Sequence, residues 1–209
     1  MITEEMLRDL RSDIENKMSA RRFCHTFAVE KMAIKLGELY APEMIPYLRA
    51  AALLHDMTKE YSADRQILIF AEKKMAVSRE DLCAPKTFHA RTAAALIPVL
   101  YPDFSDEKII SAVRWHTTGR ENMSICEKLI YLADYIDESR TFEDCVRLRE
   151  YFFSAHPEKM DERERMAHLN DTLILSFDMT IRGIMDDGGV VSSDTFEARN
   201  YLIYEKRST

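Results

Sequence analysis

Residues 124–136 read Ser124-Ile-Cys-Glu-Lys-Leu-Ile-Tyr-Leu-Ala-Asp-Tyr-Ile136. Ser124-x-x-Glu127 is a capping box: the serine hydroxyl takes an amide of the first turn, and the glutamate reaches back to the serine amide. The run from Leu129 to Ile136 is apolar except for Asp134, so it asks to be buried as a helix. A carboxylate is almost never fully buried alone, because losing its water costs on the order of several kcal/mol. The positions three and four away from Asp134 are Ile130, Tyr131, Asp137 and Glu138, none of them cationic. Its partner must come from further off: Arg114, Arg140 or a metal ion.

Helical spacing extends outward in both directions. Met6, Leu10, Ile14 and Met18 follow Thr3, an N-cap residue, and predict a first helix. A second runs from about Arg21 to Tyr40 and stops near Pro42, and a third starts at Pro46 with Leu48, Ala51, Ala52 and His55 on one stripe. Ser78-Arg79-Glu80-Asp81 opens another, and Pro85 separates it from a helix carrying His89. Ser105-Asp106-Glu107 opens the helix that ends in Trp115-His116. Beyond Phe142 the chain reads as long amphipathic helices, interrupted at Asp186-Asp187-Gly188-Gly189, with a weak strand around Val190-Val191. The fold class is all-α.

The 209 residues suit a single domain, 1–209, with a core at about 20–140 and a C-terminal helical extension at about 141–209. Five glycines and six prolines are too few turn signals for a many-stranded sandwich or barrel. The longest apolar run, Ala93 to Tyr101, is far short of the roughly 18 residues of a transmembrane helix. No signal-peptide pattern opens the chain, which suggests a cytoplasmic location without a membrane partner. Cys24, Cys83, Cys126 and Cys145 are scattered and read as reduced side chains. A net charge of −7 argues against nucleic acid as a partner, and a polyanionic ligand would need a local cluster of metals or bases. A Gly-rich phosphate loop, H-E-x-x-H and G-x-S-x-G are all absent.

Six histidines occur, and His25, His55, His89 and His116 sit in apolar helical contexts. His156 and His168 lie among charges and read as solvated surface. Imidazole with carboxylate suits zinc, iron, manganese or nickel. Adjacent His55 and Asp56 would point about 100° apart around a helix, so that one carboxylate can reach sideways to a second ion. Four histidines with Asp56 and Asp134 supply six ligand side chains, ample for two metals.

The ordered set His25, His55-Asp56, His89, His116 and Asp134 resembles the metal-ligand series of the HD-domain phosphohydrolases. Ala51-Ala-Leu-Leu-His-Asp-Met-Thr-Lys59, Arg114-Trp-His-Thr-Thr-Gly-Arg120, Glu127-Lys-Leu-Ile-Tyr-Leu-Ala-Asp-Tyr135 and Thr195-Phe-Glu-Ala-Arg-Asn-Tyr-Leu202 narrow the resemblance. They are similar to segments of the bacterial HD-domain symmetrical diadenosine tetraphosphate hydrolases, the YqeK family. The resemblance spans about residues 25–202.

It implies a helical HD bundle around a metal centre, with the C-terminal helices packed on it. It also implies hydrolysis of diadenosine tetraphosphate to two ADP, with divalent metal as cofactor: two ions, iron first, with manganese, cobalt or nickel as alternatives. His25, His55, Asp56 and Asp134 would hold one ion, and His89 and His116 the second, with Asp56 bridging. Asp56, His89 and His116 would be catalytic, and Lys59, Thr117, Arg140, Asp178 and Thr180 would touch the nucleotide. Arg120 is either a further phosphate contact or a solvated loop residue, and Arg199 a structural tie between the C-terminal helix and the core.

Two segments depart from the family pattern: His89-Ala90-Arg91 stands where H-G-P is usual, and Phe177-Asp178-Met179-Thr180 where L-D-N-T is common. Residues 143–164 have no match and read as a variable insertion. The same metal site on another nucleotide, or a nucleotide-binding sensor without turnover, are the alternative functions. The apolar C-terminal half could supply a homodimer face.

Overall fold

The computed structural model describes residues 2–208, and every regular element among them is helical. α1 (Glu4–Lys17) starts where the Thr3 hydroxyl accepts the Met6 amide, and it buries Leu7, Leu10 and Ile14. α2 (Ala20–Tyr40) is capped by Ser19 and ends two residues before Pro42, which begins a short 3-10 turn. α3 (Ile45–Leu54) is the central helix, packed against α1 and α2 and against two helices that follow. Every residue from Leu48 to Leu54 is buried, so the expected single stripe is too narrow a description. The run Ala50-Ala51-Ala52 lets neighbouring helices approach α3 from all sides.

α3 stops at Leu54, so His55 caps it and Asp56 lies in the turn beyond rather than on the helix surface. α4 (Ala63–Glu72) is a helix that the sequence spacing does not announce, and it buries Gln66, Ile69 and Phe70. α5 (Arg79–Cys83) carries the Ser78/Asp81 capping box, and a 3-10 turn at Pro85–Thr87 leads into α6 (Phe88–Leu100). α7 (Glu107–Trp115) is capped by Asp106, and α8 (Ile125–Ile136) has the capping box read from Ser124 and Glu127.

Gly119 joins these last two helices. Its φ of +66° suits glycine, and a Cβ there would stand 2.7 Å from the Phe177 ring. The Gly119 amide donates to the Trp115 carbonyl at 2.9 Å, which closes α7.

α9 (Glu143–Ser154), α10 (Glu162–Asp186) and α11 (Ser193–Ser208) follow. Residues 143–164 do not form an insertion standing apart from the bundle: Cys145, Leu148 and Phe152 of α9 are buried, the last two in the common core. Val190 and Val191 form no strand, because no other extended segment among the described residues offers them a ladder. His168 is not solvated surface either: its ring lies 5.3 Å from that of Phe152 and its Nε2 is 3.0 Å from the Phe152 carbonyl. Among the described residues no helix is long and apolar enough to cross a membrane.

Candidate metal centre and active site

Five helices deliver side chains to one buried point. His25 stands on α2, His55 and Asp56 follow α3, His89 lies in the first turn of α6, His116 caps α7, and Asp134 lies in the last turn of α8. His55, Asp56, His89 and His116 are each less than 5% exposed.

Three of the histidines share one local device. The Nδ1 of His55, His116 and His89 lies 2.6, 2.7 and 2.8 Å from the carbonyl of the residue three positions earlier: Ala52, Val113 and Lys86. A carbonyl only accepts, so each Nδ1 carries the proton and each Nε2 presents a lone pair to the interior. Such backbone anchoring of the far nitrogen is the usual arrangement behind a metal-ligating histidine.

The two oxygens of Asp56 divide the cluster. Oδ2 lies 3.5 Å from His55 Nε2 and 3.7 Å from His25 Nε2, while Oδ1 lies 3.3 Å from His89 Nε2 and 3.8 Å from His116 Nε2. Asp134 Oδ1 is 2.9 Å from His25 Nε2 and 3.8 Å from His55 Nε2. Two triads therefore have ligand atoms within 4.8 Å of one another, His25/His55/Asp134 and His55/Asp56/His116. His89 stands outside both, and its Nε2 is 3.1 Å from that of His116. Two neutral acceptor nitrogens at that separation repel unless a cation or a proton lies between them.

Despite these short distances, the buried Nε2 atoms of His25 and His55 make no hydrogen bond. They face a common centre rather than each other. Buried polar atoms are nearly always satisfied, so unmet nitrogens beside two carboxylates fit a divalent cation of borderline hardness.

The electrostatics agree. Burial would push both carboxyls up, yet His55, His89 and Lys59 hold Asp56 below the ordinary carboxylate range, and Arg140 with His25 and His55 does the same for Asp134. Burial, reinforced by His55, drops His116 to about 4, and burial with His116 and Lys59 beside it carries His89 well below the usual imidazole value. His25 differs: burial opposes its proton, but Asp134 and Asp137 outweigh that and lift it to about 9. The cluster thus holds ionised carboxylates beside neutral imidazoles, the states in which these groups bind metal, and draws positive charge to His25.

Of the residues expected at the nucleotide, Lys59 and Thr117 are at the cluster, with Lys59 Nζ 3.2 Å and Thr117 Oγ1 3.4 Å from His89 Nε2. Arg140 closes on the ligands themselves, 2.5 Å from Asp134 Oδ1 and 3.4 Å from Asp137 Oδ2. It is the distant partner that Asp134 requires, and Arg114 is not. Asp178 is occupied by Arg199, which ties α11 to α10 as expected, and Thr180 interacts with the hydroxyls of Tyr131 and Tyr135 on α8. Arg120 is bound to buried Glu127 at 2.8 and 3.1 Å, and so is neither a loose loop residue nor free for phosphate.

Two members of the cluster escape the sequence reading. Arg22 Nη1 lies 2.6 Å from Asp56 Oδ2, and the fully buried Asp137 puts Oδ2 3.3 Å from His25 Nδ1. Arg22 precedes His25 by three residues and so shares its helix face, a signal that was available. Asp137 follows Asp134 by the same interval, but it sits just past the end of α8, where helical spacing no longer places a side chain.

A family model described as HD domain matches residues 22–139. The symmetrical bis(5'-nucleosyl)-tetraphosphatase of Halalkalibacterium halodurans is 28% identical over 194 residues, 93% of this chain and 95% of that protein. The enzyme of the same name from Staphylococcus aureus is 26% identical over 192 residues, 91% of each chain. Among solved structures, an HD superfamily hydrolase of Clostridium acetobutylicum, described as involved in NAD metabolism, superposes with a TM-score of 0.82. It is 31% identical, over 95% of this chain and 97% of that one.

Proposed function

Because the chain belongs to the HD-domain family of hydrolases, we propose that it is a symmetrical bis(5'-nucleosyl)-tetraphosphatase, cutting diadenosine tetraphosphate at its central anhydride into two ADP. It would act in the cytoplasm, with residues 1–209 as one unit. Relatives of that name align along nearly the whole chain. The observation that carries the proposal is the set of inward-facing imidazole nitrogens around Asp56 and Asp134, two of them without a hydrogen bond.

In this reading His25, His55, Asp56 and Asp134 hold one divalent ion, and His89 and His116 hold a second, with Asp56 between. Iron is the first choice, and manganese, cobalt and nickel suit the same donors. When bound, such ions supply Lewis-acid charge at phosphoryl oxygens and make a bound water far more acidic than bulk water.

The protein's own groups do the rest. Lys59 and Arg22 place positive charge beside Asp56, where non-bridging oxygens of the central phosphates would lie. The Thr117 hydroxyl offers one more donor on the same side. Arg140 orients Asp134 and extends the positive rim outward. Asp178 and Thr180 belong to the nucleoside side, where Arg199 and the α8 tyrosines fix them. ADP is a weak base, so its departure needs no dedicated acid.

The test is product identification by chromatography on protein loaded with each metal. The panel pairs diadenosine tetraphosphate with mononucleotides, cyclic dinucleotides and guanosine tetraphosphate. ADP as the only product from diadenosine tetraphosphate is expected. ATP plus AMP, or turnover of another member of the panel alone, overturns the substrate assignment. Tight ADP binding without turnover under every metal would make the protein a sensor.

A further inference from the structure

α6 and α7 pack side by side, and a groove of about 400 Å³ runs along them, lined among others by Lys73, Arg91, Glu107, Ser111, Arg114 and Trp115. No residue of the candidate metal centre lines it. Arg91 follows His89 by two residues and Arg114 precedes His116 by two, a rotation of roughly 200° around a helix. The groove and the histidines therefore occupy opposite sides of the same two helices.

Arg114 is half-buried and lies 3.9 Å over the Trp115 ring, yet its guanidinium makes no hydrogen bond or ion pair among the described residues. A stacked ring face satisfies none of the five N–H donors of a guanidinium. Asp194 and Asp81 attract it only from a distance, and neither makes an ion pair with it. Arg91 spends one nitrogen on Asp81 at 2.8 Å and another on the Ala76 carbonyl, while its buried Nε has no partner. The half-buried Lys73 is unpaired among the described residues. Three cations thus line a groove that holds one carboxylate, Glu107, in a chain of net charge −7.

We propose that Arg91, Arg114 and Lys73 form an accessory phosphate-binding notch beside Trp115, separate from the catalytic centre, which takes a phosphoryl group of inorganic phosphate, pyrophosphate or a nucleoside polyphosphate. A tetrahedral dianion offers oxygens to the Arg114 fork and the Lys73 ammonium at once, with the positive charge of Arg91 beside them, whereas a carboxylate has only two oxygens to share. Arg91, at the position where the family pattern has proline, makes the notch a property of this chain rather than of the resemblance.

Trp115 is the only tryptophan in the chain, so intrinsic fluorescence reads this groove directly. Inorganic phosphate, pyrophosphate and ADP are titrated into chelator-treated protein at constant ionic strength, with calorimetry giving each dissociation constant independently of the ring. A saturable signal is expected, weakened roughly tenfold or more by Arg114→Gln and several-fold by Lys73→Ala, but within about twofold of wild type in Lys59→Ala. ADP binding tenfold tighter than phosphate identifies a nucleotide as the occupant, and equal affinity identifies the free anion; both support the notch. The absence of saturable heat and fluorescence change up to roughly 20 mM phosphate overturns it. So does binding that is lost in Lys59→Ala yet indifferent to Arg114→Gln and Lys73→Ala, which would put the anion at the catalytic centre.

Discussion

The same two helices, α2 and α3, build two clusters of buried charge that are finished in opposite ways. Glu30 of α2 and Arg49 of α3 belong to the first. Arg11 donates to both Glu30 oxygens at 2.8 and 2.6 Å, Arg49 Nε adds a third bond at 3.0 Å, and Arg49 Nη1 turns outward to Glu4. None of its buried polar atoms is left without a partner. His25 of α2 and the His55-Asp56 pair after α3 belong to the second, where two imidazole nitrogens and an Asp137 oxygen have charged groups beside them but make no hydrogen bond. A buried charge that serves the fold is saturated by the chain itself. Here the chain gathers ligand atoms and stops short of satisfying them, which leaves free energy for something else to bind.

The contrast predicts opposite responses to deleting one carboxylate. Asp56→Ala should lower kcat at least about 10³-fold, roughly 4 kcal/mol of barrier, with little change in the melting point of chelator-treated protein. Arg22, its closest cation, is 28% exposed and can turn to water. Near-wild-type turnover in a chelator-washed preparation of this variant would end the bridging role. Glu30→Ala should do the reverse. It strands Arg11 and Arg49 together and should cost about 3 kcal/mol in urea unfolding, with kcat per folded molecule unchanged.

Metal binding sharpens the same comparison. A divalent ion at about 100 times its dissociation constant should add about 2.7 kcal/mol to stability, visible as a rise in melting point that chelator reverses. Asp134→Asn should abolish that increment, whereas Glu30→Ala should keep it on a lower baseline. If both variants kept the full increment, the ion would be binding elsewhere.

Local rules made most of this fold readable. Thr3, Asp106 and the Ser78 and Ser124 boxes are complete within a few residues, so the helix starts are written where they occur. α4 escaped because two of its apolar residues, Ile67 and Leu68, face solvent and blur the period. Helical spacing also placed Asp56 on a helix that in fact ends at Leu54. Among the site residues, the order and apolar setting of His25, His55-Asp56, His89, His116 and Asp134 survive into three dimensions as proximity. What closes around them is tertiary: Arg22 reaches Asp56 across 34 positions, and Asp137 meets His25 from the end of another helix. Helical spacing puts Arg22 on the face of His25, but no local pattern encodes that Asp56 will be its partner.

The smallest predicted effect concerns a third buried carboxylate, Glu127, which belongs with the saturated kind. It is fully buried in the cap that opens α8 and accepts from Arg120, Ser111 and the Ser124 amide. Burial alone would raise its carboxyl, but those donors outweigh it and hold the group below 4.5. A depressed value in the folded state means that the unfolded chain takes up the proton first. The resulting stability is fully present above about pH 4.5 and is lost as pH falls through the folded value. Urea midpoints at pH 7 and pH 3.5 should therefore lie further apart for wild type than for Glu127→Gln, which has no proton to gain. Equal gaps would mean that Arg120 and the two serines contribute nothing to holding the carboxylate ionised, and Glu127 would then leave the class that Glu30 defines.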